Sequence, residues 1–213
     1  LKESAEKPKI ALICGAWGSG TSALCKLINT LGVNAKGPFY RTGDIKTPVS
    51  FEMTTFNALV RELVDETTLQ RKESVNTVRE KLITFSKNFL YSDKDRNSTI
   101  QLLKTPACSA LLHELDNIFS LRVLVCLRDL ESIEQSRLRR GWPEHLGKSG
   151  AKKIYDQIHD FAKGNESIVN YVDYKDMTNT ENCEILIPIL CNFLGLSPST
   201  LQIKNAIKAV SRL

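Results

Sequence analysis

Residues 15–22 read Gly-Ala-Trp-Gly-Ser-Gly-Thr-Ser, with Gly15 and Gly20 bracketing four residues. This is the spacing of a phosphate loop, in which successive backbone N–H groups and a helix N-terminus converge on an anion and glycine lets the backbone come close. A nucleoside-triphosphatase would place a lysine where this chain has Thr21, so the side chain that reaches a γ-phosphate is missing. Further along, Arg128 closes an apolar run and Ser136 follows on the next segment. A guanidinium and a hydroxyl brought to one side of a sheet edge suit a phosphate monoester. Lys104 closes another apolar run, in Leu-Leu-Lys-Thr-Pro-Ala, and puts an ammonium near whatever the glycine loop holds. Taken singly, Arg128 would pair with Asp129 or a helix end, Ser136 would face solvent and Lys104 would snorkel from its strand. Read together with the loop, they describe a site for a small polyanion.

The elements that must carry these residues can be read from periodicity. Residues 9–14 form a short apolar strand, and 21–32 carry a helical apolar stripe ended by Gly32. Residues 33–50 read as irregular, and 52–69 and 72–92 as two amphipathic helices, a helical insertion at about 51–92. Further strands are expected at 99–104, 122–127 and 167–174, and helices at 107–118, 130–140, 150–163, 181–195 and 198–211. Strands alternating with helices imply an α/β fold, a three-layer parallel sheet of about four to five strands with helices on both faces. Ligands then bind at the carboxyl ends of the strands, where Gly15, Lys104, Arg128 and Tyr174 all fall.

The 213 residues fit one domain, with 42% hydrophobic and 25% charged residues and a net charge of +5 spread along the chain. That spread argues against a nucleic-acid arm, and no apolar run approaches a membrane span. The six cysteines form no CxxC pair and no zinc pattern, so thiols buried as small hydrophobes and a reducing, cytoplasmic setting are expected. The sequence starts at Leu1 rather than Met, which leaves room for a removed leader or tether. Arg137, Arg139 and Arg140 read as a solvated basic face, and the sequence is silent on oligomeric state.

The run ICGAWGSGTSALCKLINTLGV resembles the 5′-phosphosulfate loop and first helix of sulfotransferases that use PAPS (3′-phosphoadenosine 5′-phosphosulfate), particularly small bacterial-type members. Arg128 with Ser136 is similar to that family's 3′-phosphate motif, with Leu130 in place of a proline. Lys-Thr-Pro at 104–106 resembles the triplet of its carbohydrate-directed members, and Tyr174 in Tyr-Lys-Asp-Met a tyrosine near the adenosine. The resemblance implies a sulfotransferase fold of the P-loop type. It implies PAPS as donor, PAP (adenosine 3′,5′-bisphosphate) as product, no metal, and a small-molecule or carbohydrate acceptor.

The donor would lie on Trp17, Gly18, Ser19, Gly20, Thr21, Ser22, Arg128, Ser136 and Tyr174. Lys104 would act on the leaving group, and Glu52 would take the position of the acidic residue that carbohydrate-type members place after the first helix. Pro106 removes the histidine base of the cytosolic members. Gly18 departs from the family's pattern, since relatives carry Arg or Lys there. Two other readings stand beside this one: a small P-loop kinase, which the missing lysine disfavours, and a nucleotide-binding module without turnover, which Gly18 favours.

Overall fold

The computed structural model describes residues 7–44, 47–90 and 100–211. The chain opens with β1 (Lys9–Cys14), the glycine loop, and α1 (Thr21–Thr30), followed by β2 (Asn34–Ala35), β3 (Phe39–Arg41) and β4 (Val49–Met53). Two helices, α2 (Thr54–Leu63) and α3 (Val75–Phe85), lead through a π-turn at Ser86–Leu90 to the next described strand, β5 (Gln101–Lys104). Thr99, the expected start of that strand, and residues 91–92 of the expected helix lie outside the described residues. A 3-10 turn at Pro106–Leu111 precedes α4 (Leu112–Ile118), then β6 (Ser120–Leu127), α5 (Leu130–Arg140) and α6 (Lys148–Ala162). The chain continues through β7 (Val169–Asp173), α7 (Tyr174–Thr178), α8 (Thr180–Leu194) and α9 (Thr200–Val210).

Five parallel strands form the main sheet in the order β2-β5-β1-β6-β7. Alternation along the central strands decides which layer each residue feeds. On β1, Ile10, Leu12 and Cys14 join one buried cluster with residues of α2 to α6, while Ala11 and Ile13 join a second with α1, α8 and α9. A strand buried on both faces reads as an unbroken apolar run, which is why KIALIC and RVLVCL were legible. The result is an α/β fold with helices on both faces of the sheet.

The region before β5 departs from the sequence reading. Residues 33–50 are not wholly irregular: β2 pairs at the sheet edge, and β3 and β4 form a separate antiparallel pair. The helix expected from residue 52 begins at Thr54, so Glu52 sits near the end of a strand. All six cysteines are buried and free, and burial pushes the Cys25 and Cys126 thiols up to about 12. No helix among the described residues is long and apolar enough to cross a membrane.

Candidate active site

The glycine loop leaves β1 between its neighbours β5 and β6, so the carboxyl ends of three strands meet around it. Gly20, at φ 103°, caps the N-terminus of α1, a backbone state that L-residues with side chains rarely adopt. Its missing Cβ also matters for space, because a methyl there would collide with the Tyr174 ring. Gly18, at φ 80°, faces Ser136, whose Cβ would lie 3.1 Å from an added Cβ. Position 18 is thus held to glycine by backbone and by crowding.

Arg128 leaves the end of β6 and turns to the loop. Its Nη1 donates to Gly18 O at 2.8 Å and to Ser136 Oγ at 3.4 Å, and its guanidinium lies 4.4 Å from the centre of the Tyr174 ring. Gly18, Gly20, Arg128, Ser136 and Tyr174, distant in sequence, form one contact cluster. Asp129 does not pair with Arg128. Its carboxylate caps α5 by accepting from the Ser132 amide at 2.8 Å, and that bond holds its carboxyl below the usual range. Among the described residues Arg128 has no carboxylate within ion-pair distance, and its Nε and Nη2 make no hydrogen bond.

The second cluster centres on Lys104, which is only 3% exposed at the end of β5. Its ammonium donates to Glu52 Oε1 at 2.8 Å, Ser50 O at 3.0 Å and Ser22 Oγ at 3.3 Å. Ser22 in turn donates to Ser50 O at 3.0 Å. Asn57 of α2 holds the other Glu52 oxygen, Nδ2 to Oε2 at 3.1 Å, and accepts from the Thr105 hydroxyl at 3.1 Å. An ionised Glu52 requires the amide side of Asn57 toward it, so the Thr105 donation to Oδ1 and the carboxylate agree on one orientation.

Glu52 is aimed at Lys104 from a strained backbone. Phe51 has φ 60° without being glycine, a conformation costing about 1–3 kcal/mol that surrounding contacts must sustain. Phe51 packs on Phe39 across the hairpin at 5.4 Å between ring centres.

The other loop residues are placed differently. Ser19 is fully buried, Thr21 is buried, and Trp17 is half-buried against the core near Gly150 of α6. The basic face expected at 137–140 is mostly paired. Arg137 binds Glu134, Arg139 and Arg140 both clamp Asp44 at 2.9 and 2.7 Å, and Arg140 also lies over the Trp142 ring. Sequence reasoning missed Asn57 and Thr105. Asn57 looks like any polar residue of an amphipathic helix, and nothing local signals a bond to a residue 48 positions away. A surface cleft of about 490 Å³, lined by residues including Leu69, Arg71, His113, Glu114 and Gln157, shares none of the residues of either cluster.

No protein-family model and no curated protein matches the chain in sequence. Solved structures do. The sulfotransferase domain of the Synechococcus olefin synthase superimposes with a TM-score of 0.62 at 16% identity, covering 97% of this chain and 80% of that one. The sulfotransferase STF1 of Mycobacterium tuberculosis gives 0.60 at 14% identity, covering 96% and 72%. The chain has the sulfotransferase fold. In this sulfotransferase fold, the loop after β1, the end of β5 and the end of β6 are where the two polar clusters stand.

Proposed function

We propose that the chain transfers a sulfuryl group from PAPS to a hydroxyl or amine of a small-molecule or carbohydrate acceptor. The observation that carries the reading is Arg128. It is bound to the glycine loop and to Ser136, stacked on Tyr174, and holds two donor nitrogens without a hydrogen bond among the described residues. A guanidinium fork without a counter-charge beside a phosphate loop fits a second phosphate on the same nucleoside. PAPS would bring that 3′-phosphate together with an activated sulfuryl group on its 5′-phosphate.

Each residue then has a task. The loop amides and the N-terminus of α1 hold the 5′-phosphosulfate, Arg128 and Ser136 hold the 3′-phosphate, and Tyr174 keeps the guanidinium in place. Glu52 accepts the proton of the acceptor, and Lys104 faces the negative charge that grows on the leaving oxygen. The 2.8 Å pair couples these two tasks. Once Glu52 takes a proton its charge is gone, and the Lys104 ammonium is left to neutralise the leaving group. Gly18 contributes no charge, and the guanidinium bonded to its carbonyl is that of Arg128.

Melting the protein with PAP, ATP and GTP tests the donor class. At about 100 times its Kd, PAP should add about 2.7 kcal/mol, or roughly 5–10 °C for a chain of this size. Neither triphosphate should match it. Magnesium-dependent stabilisation by ATP alone would replace this reading with a kinase.

A further inference from the structure

The glycine loop and the strand end that carries Arg128 meet across 110 residues of sequence. A third element closes the joint between them. From α6, the Tyr155 hydroxyl donates to Cys126 O at 3.2 Å, two residues before Arg128. In the loop, the Ser19 side chain is fully buried and its hydroxyl makes no hydrogen bond among the described residues. Cys126 passes its S–H to Ser19 O at 3.2 Å, and Arg128 closes the ring on Gly18 O. Loop and strand are so close that a Cβ on Gly15 would come within 2.7 Å of Cys126 O. Burial pushes the Tyr155 hydroxyl up to about 12, so it stays a donor throughout the neutral range.

We infer that Tyr155 is a positioning residue for the bisphosphate: its hydroxyl, bonded to the Arg128 strand against the glycine loop, sets the spacing of the two phosphate sites. The inference rests on PAP being the ligand of the site. A ligand with two anchored phosphates gains from the second only when the distance between the sites matches its own, and a small error in that distance lowers the effective concentration of the second group. A ligand with one phosphate is indifferent to the spacing. Tyr155 thus acts on the advantage of PAP over a nucleoside monophosphate.

Tyr155→Phe removes one oxygen and keeps the ring in the core, so the fold is retained. Calorimetric titration with PAP, 5′-AMP and 3′-AMP reads the effect. PAP should lose about tenfold in affinity while each monophosphate loses about twofold or less. Equal losses for PAP and 5′-AMP, or no loss for PAP, would overturn the positioning role. A wild-type protein that binds PAP no more tightly than 5′-AMP would instead overturn the proposed function itself, which keeps the two failures apart.

Discussion

Lys104→Ala should both destabilise the protein and abolish turnover, and the two losses should separate in a double variant. The ammonium is buried, and its loss leaves Glu52, whose side chain is 14% exposed, as a carboxylate without a counter-ion. Breaking a buried pair from one side costs about 3–5 kcal/mol, which for a chain of this length lowers the melting temperature by roughly 6–20 °C. Removing the partner as well, in Lys104→Ala with Glu52→Gln, takes away the stranded charge and should recover much of that stability. Turnover should stay at least about a hundredfold down in both variants, the scale of losing one donor to a developing oxyanion. It is followed as PAP released from PAPS with an acceptor found by screening sugars, phenols and lipids. Turnover within about tenfold of the wild type in Lys104→Ala, which keeps Glu52, assayed well below the melting temperature of the variant, would show that Lys104 is scaffolding alone.

Arg128→Ala should weaken PAP about a hundredfold, or about 2.7 kcal/mol, the order expected for two charge-assisted hydrogen bonds to a phosphate. Adenosine 5′-phosphosulfate, which lacks the 3′-phosphate, should lose only a few-fold. That residual loss has a cause in the structure, because Arg128 also holds Gly18 O and lies against Tyr174, so the loop loosens for any ligand. Competition titrations of the two nucleotides measure the ratio directly. Equal losses would mean that Arg128 shapes the loop rather than binding the second phosphate.

The parts of this site that sequence reveals are those whose physics is local. Helix α5 spans Leu130–Arg140 as expected, because Asp129 caps its start and Gly141 its end, and both signals are written in neighbouring residues. Gly15, Lys104 and Arg128 are traceable because apolar runs buried on both faces mark their strands, whereas Tyr174 follows the edge strand β7, which alternates buried and exposed residues. Glu52 was placed on the wrong element for a corresponding reason. Phe51, within β4, adopts a positive φ without glycine, so nothing marks the strand that ends at Met53, and the apolar spacing of α2 extends back across it. Asn57, Thr105 and Tyr155 act through bonds that span 29 to 48 residues. Such contacts arise from packing of α2 and α6 against the sheet, which no local pattern encodes. The pairing of Arg139 and Arg140 with Asp44 is hidden in the same way, since the Arg139 bond alone spans 95 residues.

For sulfuryl transfer from PAPS, one nucleoside must bridge the glycine loop and the Arg128–Ser136 pair. A crystal structure of the complex with PAP tests this most directly. The 3′-phosphate should lie within hydrogen-bonding distance of the Arg128 guanidinium and Ser136 Oγ, with the 5′-phosphate on the amides of residues 18–22. A 3′-phosphate turned to solvent, with Arg128 still bonded only to Gly18 and Ser136, would contradict it.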